Sequence, residues 1–217
     1  MCQTISASTA LAPSVTSTVD PWVMQRTLMK ASGQTLPDSP RLHKGVVLYA
    51  ALNLEEGAET IDGLKKAMRR VVDLVPVDSR DQNLLAMDNL VTQLEVIGVA
   101  MKASSKSIRA QLAVVSNDYS AELTEAEVIE MADGTTDLTV TNSGFALSLG
   151  IDGAACYNEV AGSNLSKRND EGAIDKTPDG KWIKNPKNYR EPNLKSVIYP
   201  AAPKKACCGK CSGCGSH

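Results

Sequence analysis

The sequence predicts an all-α fold, a helical bundle carried by one domain with a tail at each end. Three observations predict it. Aromatic residues make up only 4% of the 217, with a single Phe. A core built instead from Ala, Val, Leu, Ile and Met suits packed helices better than stacked sheets. Apolar residues recur at helical spacing over long stretches, and turn chemistry separates those stretches.

In chain order, residues 1–18 are Ser/Thr-rich and read as a disordered tail, followed by the domain at 19–200. Asp20 is placed to cap a short helix that begins with Pro21 and runs to about Ala31. "SGQTLPDSP" then reads as loop. From about Leu42 to Val75, Val47, Leu54, Ile61, Met68 and Val75 recur every seven residues, the mark of a long core-facing helix. Residues 80–117 give one or two further helices, with Lys102, Lys106 and Arg109 near one face. Thr124 and Glu127 form a capping box that starts the next helix, expected to end at Gly150. Asp152 caps a shorter helix through Leu165. "GAIDKTPDGKWIK" reads as a small C-terminal β-hairpin, and "NPKNYREPNL" as loop. The tail at 201–217 is Cys- and Gly-rich and is expected to be flexible.

Composition excludes several classes of function. The net charge of −2 offers no surface for coating nucleic acid. Two histidines, His43 and His217, leave little room for imidazole chemistry. Neither a G-x-S-x-G elbow nor a G-x-x-x-x-G-K-[ST] phosphate loop is present. No run of 18 apolar residues marks a membrane span, and the N-terminus lacks the basic and apolar regions of a secretory signal. A cytoplasmic setting with reduced cysteines is the expectation (the host cytoplasm for a phage-encoded chain).

The chemistry-bearing feature is acidic. Glu55, Glu59 and Asp62 point in nearly one direction on the long helix, with Glu56 at the border. Leu48 and Leu52 share that face, so it is expected to meet something other than solvent. Lys66 can pair with Asp62 four residues earlier, whereas Glu55 and Glu59 have no such local partner. Crowded carboxylates repel one another unless a cation or base relieves them. A second stripe, Glu130, Asp133 and Asp137, lies on the capped helix beside Thr141, Gly144 and Ser148. Val128, Met131, Leu138, Phe145 and Leu149 occupy the opposite face. Two helices with inward acid stripes are how carboxylate metal sites are built in bundles, and all-oxygen ligation favours Mg²⁺ or Mn²⁺. Solvated or salt-bridged faces are the alternative.

"LNLEEGAETIDGL" and "EMADGTTDL" resemble the two metal-binding motifs of the all-α nucleoside triphosphate pyrophosphohydrolases, the MazG-like superfamily. Their order, together with "LMKASGQTLPDSPRL", "GIDGAACYNEVAGSNLSKRND" and "DGKWIKNPKNYREPNL", most resembles the phage-type phosphoribosyl-ATP-pyrophosphohydrolase-like branch, over residues 20–198. The resemblance implies Mg²⁺- or Mn²⁺-dependent attack of water at the α-phosphate of a (deoxy)nucleoside triphosphate, a purine such as dGTP being one option. It implies Glu55, Glu56 and Glu59 as catalytic and metal-binding acids, with Glu130, Asp133 and Asp137 as further ligands. It places Asn164 and Lys167 on sugar or phosphate, and Lys184 and Tyr189 in a segment that closes over nucleotide together with Lys181. Trp22 is a candidate for base stacking or a helix anchor, and Arg109 for phosphate. A homodimer or homotetramer is implied, with no membrane or nucleic-acid partner. The chain departs from the family pattern in two ways. Glu130–Asp133 fits E-x-x-D while Asp133–Asp137 fits an i, i+4 version, and a helical insertion at about 76–123 separates the motifs.

Cys208, Cys211, Cys214 and His217, with Cys207 adjacent, have the count of a zinc site but crowd into the terminus, so a thiol-rich tail is the simpler expectation. Cys2 and Cys156 are expected to be free. The rival to an enzyme is a helical oligomer that binds nucleotide or metal without turnover, or an interaction protein. Phosphoribosyl-ATP is the alternative substrate.

Overall fold

The computed structural model describes residues 20–34, 36–177 and 180–200. The expected tails, with Cys2, Cys207, Cys208, Cys211, Cys214 and His217, lie outside the described residues.

Helix α1, Pro21–Ala31, starts as its sequence dictates: Pro21 fixes the first turn, and the Asp20 carboxylate accepts the Trp22 N–H at 2.8 Å. The core of the fold is an antiparallel pair, α2 at Lys44–Val72 and α3 at Gln82–Leu112. Ala51, Ala58 and Val72 on α2 are buried, as are Val91, Ser105 and Leu112 on α3. Small side chains let the two axes approach, and a Cβ placed on Gly98 of α3 would lie 3.5 Å from the Ile61 methyl. The connection runs through Pro76 and a 3-10 turn at Val77–Ser79. Asp88 locks it, accepting from Arg69 at 2.6 Å and from Arg80 at 3.1 Å. The stretch at 80–117, expected as one or two helices, is thus mainly α3, a single helix.

One correction concerns the start of α2. Arg41–His43 form a short strand, β1, which pairs antiparallel with β2 at Ser120–Glu122, Leu42 opposite Ala121. Three-residue strands carry no periodicity to read, and this pair exists because the end of α3 returns to the start of α2. The C-terminal hairpin is smaller than expected. It reduces to one antiparallel bridge, Lys176 to Trp182, with the Thr177 N–H donated to the Lys181 carbonyl at 2.9 Å. Residues 178 and 179 of its expected turn lie outside the described residues.

Helix α4, Glu125–Ser148, begins with the expected capping box. Thr124 accepts the Glu127 N–H, and Glu127 accepts the Thr124 N–H at 2.8 Å. It ends just before Gly150, which takes the left-handed φ of +71°. None of its residues is buried. It meets the rest of the chain near its C-terminal end, where a Cβ on Gly153 would touch the Ala146 Cβ at 3.4 Å. In the single chain the Glu130, Asp133 and Asp137 row lies in solvent, and of the apolar row only Val128 is half-buried.

Asp152 caps α5, Gly153–Leu165, through the Ala155 N–H. This helix packs on α1, where the Tyr157 hydroxyl donates to the Pro21 carbonyl at 2.8 Å. It also packs on a short α6, Leu194–Ile198, which begins at the last residue of the stretch expected as loop and was not foreseen from the sequence. Glu159 holds the approach to α6 by accepting from the Arg190 guanidinium and the Asn193 N–H. Cys156 is half-buried, and burial raises its thiol pKa. Among the described helices α3 is long and apolar enough to cross a membrane by length and composition, although Asp88, Glu95, Lys102, Lys106 and Arg109 lie along it.

Candidate functional site

The site is built on one face of α2. A 29-residue helix with Leu48, Leu52, Glu55 and Glu59 in line presents an apolar half followed by an acidic half. Over the apolar half lies Gly180. Its φ is +87°, and a Cβ there would come within 3.1 Å of the Leu48 Cδ2. Leu48 and Gly180 are two walls of a cavity of about 620 Å³, whose polar lining includes Gln34, His43, Lys44, Asn117 and Lys176. His43 is also the N-cap of α2, its Nδ1 accepting the Gly45 N–H at 3.2 Å. Of these residues the sequence drew attention only to Leu48, for its face, and to His43, as one of two histidines; Gln34, Lys44, Asn117, Lys176 and Gly180 were not singled out. They come from four separate stretches that only the fold collects.

Over the acidic half, cations gather. The Arg109 Nη1 on α3 donates to the Glu55 Oε2 at 2.6 Å, with Arg109 only 9% exposed. Lys181 approaches the other Glu55 oxygen at 3.9 Å. The Lys167 Nζ donates to the Asn164 Oδ1 at 2.7 Å and sits 5.6 Å from the Trp182 ring centre. The Lys184 Nζ lies 4.6 Å from the Tyr189 ring centre and reaches Glu191 at 3.9 Å. Trp182 escaped the sequence reading, although its place between Lys181 and Lys184 was a usable signal.

Electrostatics couple the two groups. Glu56 retains solvent exposure over part of its side chain, but desolvation at its carboxyl is the largest influence and raises its pKa. The Glu59 and Glu55 carboxylates push the same way, while Lys167 and Lys181 oppose them. The Lys167 ammonium is lowered, first by burial, then by Lys184, with Glu56 opposing. Opposite shifts on an acid and a base that feel each other mark a place where charge is concentrated and partly desolvated. Asp62 behaves differently. Lys66 at 2.7 Å and Lys65 at 3.2 Å hold its carboxyl down at about 2, so it belongs to a local ion-pair ladder, as the Lys66 spacing predicts.

Of the residues singled out from the sequence, Glu55, Glu56, Arg109 and Lys167 therefore share one electrostatic neighbourhood, with Asn164 bonded to Lys167 and Glu59 acting on Glu56. Trp22 stands 72% exposed in the first turn of α1. Glu130, Asp133 and Asp137 lie on α4, exposed, and α4 has no extended packing against α2. Among the described residues no three His, Cys, Asp or Glu side chains converge into a ready-made metal cluster. Compared with known proteins, the chain matches no family model, no curated protein and no solved structure.

Proposed function

We propose that this chain hydrolyses a nucleoside or deoxynucleoside triphosphate to the monophosphate and pyrophosphate, with Mg²⁺ or Mn²⁺. The observation that carries the reading is the apposition on one face of α2 of Glu55, Glu56 and Glu59 to Lys167, Lys181 and Arg109. A site for an organic monocation needs only the acids, and a site for a simple anion only the lysines. A metal–polyphosphate substrate needs both.

The donor set fits a hard cation. Glu56 and Glu59 offer carboxylate oxygens from one helical turn, and a cation would offset the burial and then the neighbouring carboxylates that raise Glu56. When bound, such a cation neutralises phosphate charge and polarises the phosphorus–oxygen bonds. The chain supplies the rest. Lys167 and Lys181 take phosphate oxygens as point charges. Arg109 holds Glu55, and with it the acidic turn, in place from α3. Glu56 or Glu59 accepts a proton from water as the water oxygen bonds to the α-phosphorus. The bond from that phosphorus to the bridging oxygen breaks, and pyrophosphate leaves with the electron pair. The cavity beside Leu48 has room for the nucleoside, with Gln34 and Asn117 as hydrogen-bonding groups for a base.

The test is to incubate the protein with each of the eight common NTPs and dNTPs plus Mg²⁺ or Mn²⁺, and with phosphoribosyl-ATP, and to separate products by anion exchange. Monophosphate plus pyrophosphate is expected, from dGTP if the purine reading holds. Nucleoside diphosphate plus phosphate would refute attack at the α-phosphate. A second reading, nucleotide binding without turnover, is favoured by the distance of the α4 acids from this site. Saturable nucleotide binding with no product from any substrate would establish it instead.

A further inference from the structure

We propose that Trp182 is a positioning residue of this site: together with Asn164 it clamps the Lys167 ammonium without neutralising it, so that Lys167 meets an incoming polyphosphate already aimed. The inference rests on the nucleotide reading above for the identity of the anion, and turnover is not needed for it. What carries it is the way the three lysines of the site are held. Lys181 approaches the Glu55 carboxylate at 3.9 Å, and Lys184 has the Glu191 carboxylate at 3.9 Å beside the Tyr189 ring. Among the described residues no carboxylate forms an ion pair with the Lys167 ammonium, and Glu56 acts on it only through space. Its direct partners are neutral: the Asn164 Oδ1 at 2.7 Å, and the Trp182 ring, whose centre lies 5.6 Å from the Nζ.

The chemistry of those two partners decides what the lysine can do. An amide oxygen accepts one of the three ammonium donors, and the face of an indole attracts a cation through its quadrupole. Both fix a direction, and neither brings a formal negative charge. A lysine tied to a carboxylate has its field largely cancelled, whereas Lys167 keeps its charge for an anion. Partial burial adds to the effect, because the ammonium has lost water that phosphate oxygens can replace.

The two partners reach Lys167 from separate parts of the chain. Asn164 stands in the last turn of α5, three residues before Lys167. Trp182 is brought in by its antiparallel bridge to Lys176, with the Ile183 N–H donated to the Asp175 carbonyl at 2.8 Å. Gly180, two residues earlier, rests against Leu48 of α2. A free lysine stem samples many rotamers, and holding it before the ligand arrives removes that ordering from binding. Asn164, whose motif position implies a contact with sugar or phosphate, acts here through Lys167.

Calorimetric binding of inorganic tripolyphosphate with Mg²⁺ to the full chain tests this apart from hydrolysis. Trp182→Leu is expected to weaken binding about tenfold, and Trp182→Phe, which keeps a ring, less than about threefold. Asn164→Ala should also weaken it several-fold, and it keeps the test open if Trp182→Leu loses its far-UV circular dichroism. Lys167→Met leaves Lys181 and Lys184 in place, so binding stays measurable in that background. There neither Trp182→Leu nor Asn164→Ala should weaken binding further, since both act through the missing ammonium. Equal losses in both backgrounds would overturn the proposal, and so would a wild type that does not bind tripolyphosphate. Coupled binding with no product from any nucleotide would end the hydrolytic reading and leave the clamp standing. Hydrolysis with additive losses would do the reverse.

Discussion

Arg109 on α3 and Glu55 on α2 are joined by a 2.6 Å hydrogen-bonded ion pair across the main helix–helix interface, with the arginine nearly buried. The pair belongs to both the fold and the site, because it pins the acidic turn of α2 from the opposite helix. Arg109→Met should cost about 2–3 kcal/mol, since it leaves the Glu55 carboxylate with only the more distant Lys181. Urea denaturation would measure it. A double-mutant cycle with Glu55→Gln should give a coupling energy clearly above zero, and additive losses would show that the pair is incidental.

Glu56 and Glu59 are exposed, so replacing them should spare the fold. Glu56→Gln and Glu59→Gln are each expected to lower hydrolysis about a hundredfold or more, with no loss of far-UV circular dichroism or of melting temperature. Retained turnover in both variants would sink the assignment of these acids.

The two shifted groups fix a pH profile. Glu56 works ionised and its pKa is raised, so the acid limb of kcat/KM should lie above the ordinary carboxylate range. Lys167 works charged and its pKa is lowered, so the alkaline limb should lie below the ordinary lysine range. Lys167→Arg should move the alkaline limb upward and leave the acid limb in place. The stability linkage has its own sign. A carboxyl raised in the folded state favours folding fully below its unfolded pKa, and that advantage is lost as pH rises through the folded pKa. Glu56→Gln should therefore gain stability relative to wild type at neutral pH and converge with it in acid.

Gly180 is constrained twice, by a φ of +87° and by Leu48 at 3.1 Å from any added Cβ. Gly180→Ala should cost about 1–2 kcal/mol locally and displace the turn that carries Lys181. The expected readout is a raised KM for nucleotide with far-UV circular dichroism unchanged. An unchanged KM would detach this turn from substrate binding.

Much of the local architecture was legible in the chain. The caps at Asp20, Thr124 and Asp152 set three helix starts, and the Asp62–Lys66 pair follows from spacing alone. The mixed face of α2, Leu48 and Leu52 ahead of Glu55 and Glu59, announced a covered surface, and Leu48 is indeed covered by the turn at Gly180. The β1–β2 pair and α6 were not legible, because elements of three and five residues are too short to show a period.

The sequence by itself determined where helices begin, which faces they present, and that acids crowd on two of them. Caps and i, i+4 neighbours are local, so these follow from a turn or two of chain. Only the tertiary structure decided what each face meets. Glu55, without a partner on its own helix, finds Arg109 from 54 positions away. Lys167 comes to bear on Glu56 because the segment after α5 returns to the acidic face of α2. The second acid stripe, also at helical spacing, is held away with α4. Such partners depend on how whole helices pack, and spacing within a helix carries no record of its neighbour.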